Sequence, residues 1–124
     1  MRHILKLHGV VVGWSDLGKI QGGLGRAHGT FRPSVGYELV EPIFRMFAEA
    51  VPRDGARDES KLARYHKSRD ALNLELFDDA DERIATSAIH IVDYTSTESG
   101  APLELDVLIS DDGYWRRRTQ PSVV

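Results

Sequence analysis

The cleanest alternation of apolar and polar positions lies near the end of the chain, where Leu103, Leu105, Val107 and Ile109 take turns with Glu104 and Asp106. A period of two puts one set on each face of a strand, so this stretch predicts a half-buried strand. Tyr37, Val40, Ile43, Phe44, Phe47 and Val51 recur instead at steps of three and four, the spacing of a single helical stripe and the main apolar helix face of the chain. Pro42 lacks a backbone N–H and fits only a first helical turn, so a short turn over 34–40 should lead into a helix from Glu41 to Ala50. After the polar connector Pro52–Arg57, residues Asp58 to Leu72 predict a second helix with Leu62, Tyr65 and Leu72 on one face.

The remaining segments are β-like. The β-branched and bulky residues from His3 to Trp14 predict a strand, with Gly9 and Gly13 marking a bulge or a close approach. The glycine-rich stretch Ser15–Gly25 predicts a loop, and Ala27–Arg32 a return strand that makes a wide hairpin with the first and ends at Pro33. Asn73–Phe77 and Ile84–Tyr94, separated by the turn residues Asp78–Glu82, form a second predicted hairpin. Thr95–Pro102 reads as a loop and Asp112-Gly113 as a turn before a last short element at Tyr114-Trp115.

No segment repeats, and local hairpins replace alternating βαβ units. The expected architecture is therefore α+β, a mainly antiparallel sheet of about five strands in the order ββααβββ with two helices packed on one face. A half-open β-barrel with inserted helices is the alternative. At 124 residues the chain has room for one core, so a single domain is expected over 1–118, followed by a tail over 119–124.

Composition narrows the chemistry. With 41% hydrophobic and 28% charged residues the chain is expected to fold. The absence of cysteine excludes disulfides, thiolate nucleophiles, iron–sulfur clusters and thiolate zinc sites. A cysteine-free chain without an export signal or a long apolar run is expected to be cytoplasmic and off the membrane. Sixteen basic and nineteen acidic residues give a net charge of −3, so nucleic-acid binding is disfavoured unless a local patch supplies it.

The patch on offer is Tyr114-Trp115-Arg116-Arg117-Arg118, where two rings beside three guanidinium groups can stack on bases and neutralise phosphates. The plainer reading puts the rings over a sheet edge and the arginines in water. Gly18–Gly25 resembles a phosphate loop in glycine content only, because the flanking order expected is strand–loop–strand. The acidic run Asp78–Glu82 lacks the spread of ligands of a calcium loop. Neither a metal nor a cofactor is expected.

Among the histidines, His8 and His28 would share a polar face with Lys6, Thr30 and Arg32 if the first hairpin forms as drawn. His90 sits at an odd offset from Asp93, on the opposite side of a strand, and shares its own face with Tyr94, so a His–Asp dyad is not expected. His8, His28, Arg32, His90 and Tyr94 are thus the candidate ligand-binding groups, for a cavity between the sheet and the Tyr37–Val51 helix. Trp14, Tyr114 and Trp115, with Arg116, Arg117 and Arg118, are the candidate interaction groups. No catalytic constellation is apparent. The leading expectation is a non-enzymatic interaction module with a second copy or another protein as partner; a small-ligand binder or small enzyme, and a nucleic-acid accessory protein, are the alternatives.

Overall fold

A computed structural model of the chain describes residues 1–119; most of the expected tail, with its Ser122 and Val124, lies outside the described residues. Its class is α+β, with two open antiparallel sheets rather than a barrel. Among the described residues there are nine short strands and three α-helices, more strands than the five or so expected.

The extra strands come from turns that hydropathy hides. The apolar stretch at the N-terminus is two strands, β1 (His3–Leu7) and β2 (Val10–Ser15), that fold back on each other. His8 and Gly9 both adopt positive φ, 48° and 84°, which is the twist a two-residue hairpin turn needs. A bulge shifts the register after Leu5. Gly13 is the close approach expected of it, since a Cβ there would stand 2.5 Å from the Arg32 carbonyl oxygen.

The Gly18–Gly25 segment is likewise no open loop. It carries β3 (Lys19–Gln21) and a 3-10 turn over Gly22–Leu24, which runs into β4 (Arg26–Thr30). A two-residue strand, β5 (Arg32–Pro33), follows, then a 3-10 turn over Val35–Leu39, α1 (Glu41–Ala50) and α2 (Glu59–Ala71). Both helices fall where periodicity put them. Pro42 stands in the first turn of α1, and the Asp58 side chain caps α2 by accepting from the Lys61 N–H at 3.0 Å.

Beyond α2 come β6 (Glu75–Phe77), β7 (Arg83–Ile84), β8 (Thr86–Val92) and β9 (Glu104–Ile109). The first sheet runs β5-β2-β1-β6-β7 and the second β3-β4-β9-β8. The wide hairpin expected between the N-terminal strand and Ala27–Arg32 is therefore absent: β4 joins the other sheet, between β3 and β9. Asp112-Gly113 is not a turn but the start of α3 (Asp112–Thr119), with Asp111 Oδ1 accepting from the Tyr114 N–H at 3.0 Å.

Leu5, Val12, Leu76 and Ile84 of the first sheet meet Ala27, Ile89, Ile91, Leu105 and Val107 of the second in one core, which Phe44, Leu62, Tyr65 and Tyr114 extend from the helices. The alternation read in β9 is this arrangement seen from one strand: Leu105, Val107 and Ile109 are buried. The opposite face of the second sheet is left outside, and its β8 end is walled by α1 and α2.

Candidate functional site

Strand pairing decides what stands on that outer face. Ala88, Leu108 and Arg26 form one row across β8, β9 and β4, and His90, Asp106 and His28 form the next. Above the β8 end of these rows, α1 supplies Phe47, and one turn of α2 supplies Tyr65, His66 and Arg69. The corner between sheet and helices is a cleft of about 270 Å³, near the lower end of the range for small-molecule sites.

His90 lies on its floor. The Phe47 ring meets it edge-on at 4.4 Å between centroids, and Tyr65 at 5.5 Å. Burial pushes the imidazole down to about 4, aided by the positive charge of Arg69 and opposed by Asp106, so His90 is neutral at neutral pH. Its Nδ1 is hydrogen-bonded to the Tyr65 hydroxyl. Burial raises the Tyr65 phenol well above its ordinary value, so the hydroxyl keeps its proton. Arg69, a pure donor, lies 5.6 Å from the Tyr65 ring centroid and pulls on the same oxygen. The phenol O–H is thereby left to donate to His90 Nδ1, which places the imidazole proton on Nε2. That nitrogen has no partner among the described residues and is not sealed from the cleft.

On the far side of the floor, Arg26 makes a two-pronged pair with Asp106, Nε to Oδ1 at 2.9 Å and Nη2 to Oδ2 at 2.8 Å. Both carboxylate oxygens are occupied. Among the described residues no three or more His, Asp or Glu side chains are grouped to hold a metal ion.

No family model matches the chain, and comparison with the curated proteins and with the solved structures finds no match for it. The functional reading therefore rests on the geometry.

The five ligand-binding candidates do not share a cavity. His8 is exposed in the β1–β2 turn, and Arg32 pairs with Trp14 on β5 at the edge of the first sheet. His28 lies on the second sheet with Nδ1 2.6 Å from Glu104 Oε1, so the polar face proposed for Lys6, His8, His28 and Arg32 is split between two sheets. The Tyr94 hydroxyl donates to the Val51 carbonyl at 2.7 Å, and its ring lies 4.4 Å from Arg53. Only His90 of the five lines the cleft. Asp93 is separate from His90, as strand parity required; it accepts from the Tyr37 hydroxyl and from Thr95.

The interaction candidates are largely committed within the molecule. Trp14 has Arg2 at 3.9 Å and Arg32 at 5.4 Å from its ring centroid. Tyr114 is buried against His3, the Trp115 indole donates to the Ile109 carbonyl at 2.9 Å, and Arg118 bonds Tyr114 and the Leu17 carbonyl. Arg116 and Arg117 are exposed.

Tyr65, His66 and Arg69 are not among the expected site residues: periodicity puts Tyr65 on the apolar face of the second helix, and His66 and Arg69 count among that helix's polar residues. The signal available was the spacing of Tyr65 and Arg69 by four, which sets a phenol and a guanidinium side by side on one helix face.

Proposed function

We propose that the chain binds a small molecule in the cleft between the outer face of the second sheet and α1–α2. One observation carries this reading: a half-buried, neutral His90, oriented by Tyr65, turns an unpartnered ring nitrogen into a cleft walled by the Phe47 and Tyr65 rings. Leu108, 40% exposed, and Ala88 complete an apolar surface that a flat ligand body would cover. Binding rather than turnover is the activity proposed, since the two lining groups besides the histidines that could act as nucleophiles, Asp106 and Tyr65, are held by Arg26 and His90.

Protein-observed NMR with small planar fragments tests it. The expected result is shifts confined to Tyr65, His66, Ala88, His90 and Leu108, abolished in an Ala88→Phe variant that fills the cleft from a half-exposed position while the fold is kept. Shifts scattered over other surfaces, or binding that survives Ala88→Phe, would refute the reading.

A second reading, self-association, has a different surface in its favour. Val10 and Val11 of β2 adjoin Val35 and Leu39 of the following 3-10 turn, and all four are exposed, Val35 by 87%. These aliphatic side chains, rather than Trp14, Tyr114 and Trp115, form the apolar patch that a second copy would cover. Sedimentation over a wide concentration range should then show a dimer that Val35→Glu dissociates. A monomer at the highest concentration disposes of this reading.

A further inference from the structure

From the valences left open around the cleft we infer that its ligand is a small organic anion, a carboxylate on a planar body, held by Arg69 and His90. This rests on the cleft being a ligand site, and adds the chemical class of what it takes.

The argument is an inventory of donors and acceptors. Both oxygens of Asp106 are engaged by Arg26, which also reaches Gln21 through Nη1 at 3.3 Å. The Tyr65 hydroxyl is engaged with His90 Nδ1. Apart from the ring of the exposed His66, each acceptor of the lining side chains thus already holds a partner, and the charge of Asp106 is matched by Arg26. What remains open is the other kind. His90 presents Nε2–H, and Arg69, with Nε and Nη2 on Asp70 Oδ1 at 3.1 and 3.0 Å and a further bond to the Tyr65 hydroxyl, carries five N–H groups, more than these partners occupy. A cleft whose buried acceptors already hold partners while its donors stand open favours a ligand that accepts, and a guanidinium favours one that is charged.

The Arg69–Asp70 pair does not stand in the way. It joins adjacent residues, both nitrogens converge on one oxygen, and the Asp70 side chain is 66% exposed, so water and salt screen it heavily. Asp70 lies outside the cleft, in the neighbouring groove with Asn73 and Ser87. It serves as an internal, weakly held stand-in for the carboxylate that a ligand would bring. Phe47, Tyr65, Ala88 and Leu108 provide the surface on which the uncharged body lies, and the volume suits a body of one or two rings.

Benzoate and its neutral counterpart benzamide are the probes, titrated into the full chain by NMR or calorimetry. Benzoate is expected to bind at least tenfold more tightly than benzamide. Arg69→Gln should remove that preference, whereas Asp70→Asn, an exposed change that leaves the fold intact, should strengthen benzoate two- to fivefold by releasing the guanidinium. Benzamide should respond to neither variant. Equal binding of the two probes at the cleft, or weaker benzoate binding in Asp70→Asn, overturns the anion assignment while leaving the cleft a ligand site. Failure of both probes to bind removes that site and the anion assignment with it. Histidine-ring nitrogen spectra give an independent check: His90 protonated on Nδ1 at neutral pH would also overturn the assignment.

Discussion

Replacing Asp93 with Ala is expected to cost about 3–5 kcal/mol of folding stability, the effect of removing one partner from a buried charged network. The carboxylate is 1% exposed and accepts from the Tyr37 hydroxyl at 2.6 Å, the Thr95 N–H at 2.9 Å and the Thr95 hydroxyl, with the Arg45 guanidinium 3.8 Å away. Without it, the buried Tyr37 hydroxyl and the Thr95 N–H lose their acceptor at the junction of the 3-10 turn, α1 and the end of β8, and Arg45 is left to Glu41 and Thr95. Burial by itself would raise the Asp93 carboxyl; hydrogen bonds from the Thr95 and Tyr37 hydroxyls and the Thr95 N–H, with the charge of Arg45, outweigh it and hold the carboxyl below its ordinary value. Its contribution is thus complete above the usual carboxylate range and is lost as pH falls through the lowered value. Urea unfolding at neutral pH measures the loss, and Tyr37→Phe, which removes one hydrogen bond to the carboxylate, should cost less, about 2 kcal/mol. Equal costs for the two variants would contradict the network.

Acid should destabilise the protein well before its carboxylates titrate. His3 and His90 are both held at about 4 against an ordinary value of 6.5, in each case mainly by burial and next by a neighbouring arginine, Arg118 and Arg69 respectively. The two sites repeat one arrangement, an arginine beside a tyrosine hydroxyl that bonds a neutral imidazole. Above pH 6.5 both states of the chain carry neutral histidines and nothing is lost. Below it the unfolded chain takes up two protons that the folded chain refuses, and stability falls until about pH 4, by roughly 3 kcal/mol for each histidine. Together that approaches the whole stability of a typical domain. Urea midpoints from pH 7 to pH 4 should show the decline, and replacing both histidines with Gln should flatten it. An unchanged slope in the double variant would assign the acid sensitivity elsewhere.

Much of the local structure was legible in side-chain periodicity. The stripe from Ile43 to Phe47 and the alternation in β9 each record which side of an element is buried, and burial is what hydropathy measures. Turns were read less well. Among the described residues His8-Gly9 is the one place where two consecutive positive-φ residues fold a strand back on itself, yet its neighbours on both sides are mostly apolar, so the stretch resembles one long strand. Asp111 caps α3 through a backbone contact with Tyr114, while the adjacent Asp112-Gly113 resembles a turn.

The site was legible only in pieces, because its parts come from pairings that cross large distances in the chain. His90 stood out as a half-buried histidine, but its partner Tyr65 lies 25 residues earlier, on the apolar face of a helix, where it reads as core. Glu104 and Asp106 looked like the wet side of a strand; the placement of β4 beside β9 makes them partners of His28 and Arg26, more than seventy residues away.

The sequence alone determined the α+β class, the two long helices, the buried face of β9 and the exclusion of cysteine chemistry, since each depends on residue type and spacing within a few turns or strand steps. Tertiary structure decided that the N-terminal stretch is a hairpin, that β4 belongs to the second sheet, and that His90, rather than a group of five candidates, faces a cleft. Those outcomes depend on sheet partnership and register, where shifting one strand or exchanging its neighbour brings a different set of side chains together without altering the local pattern.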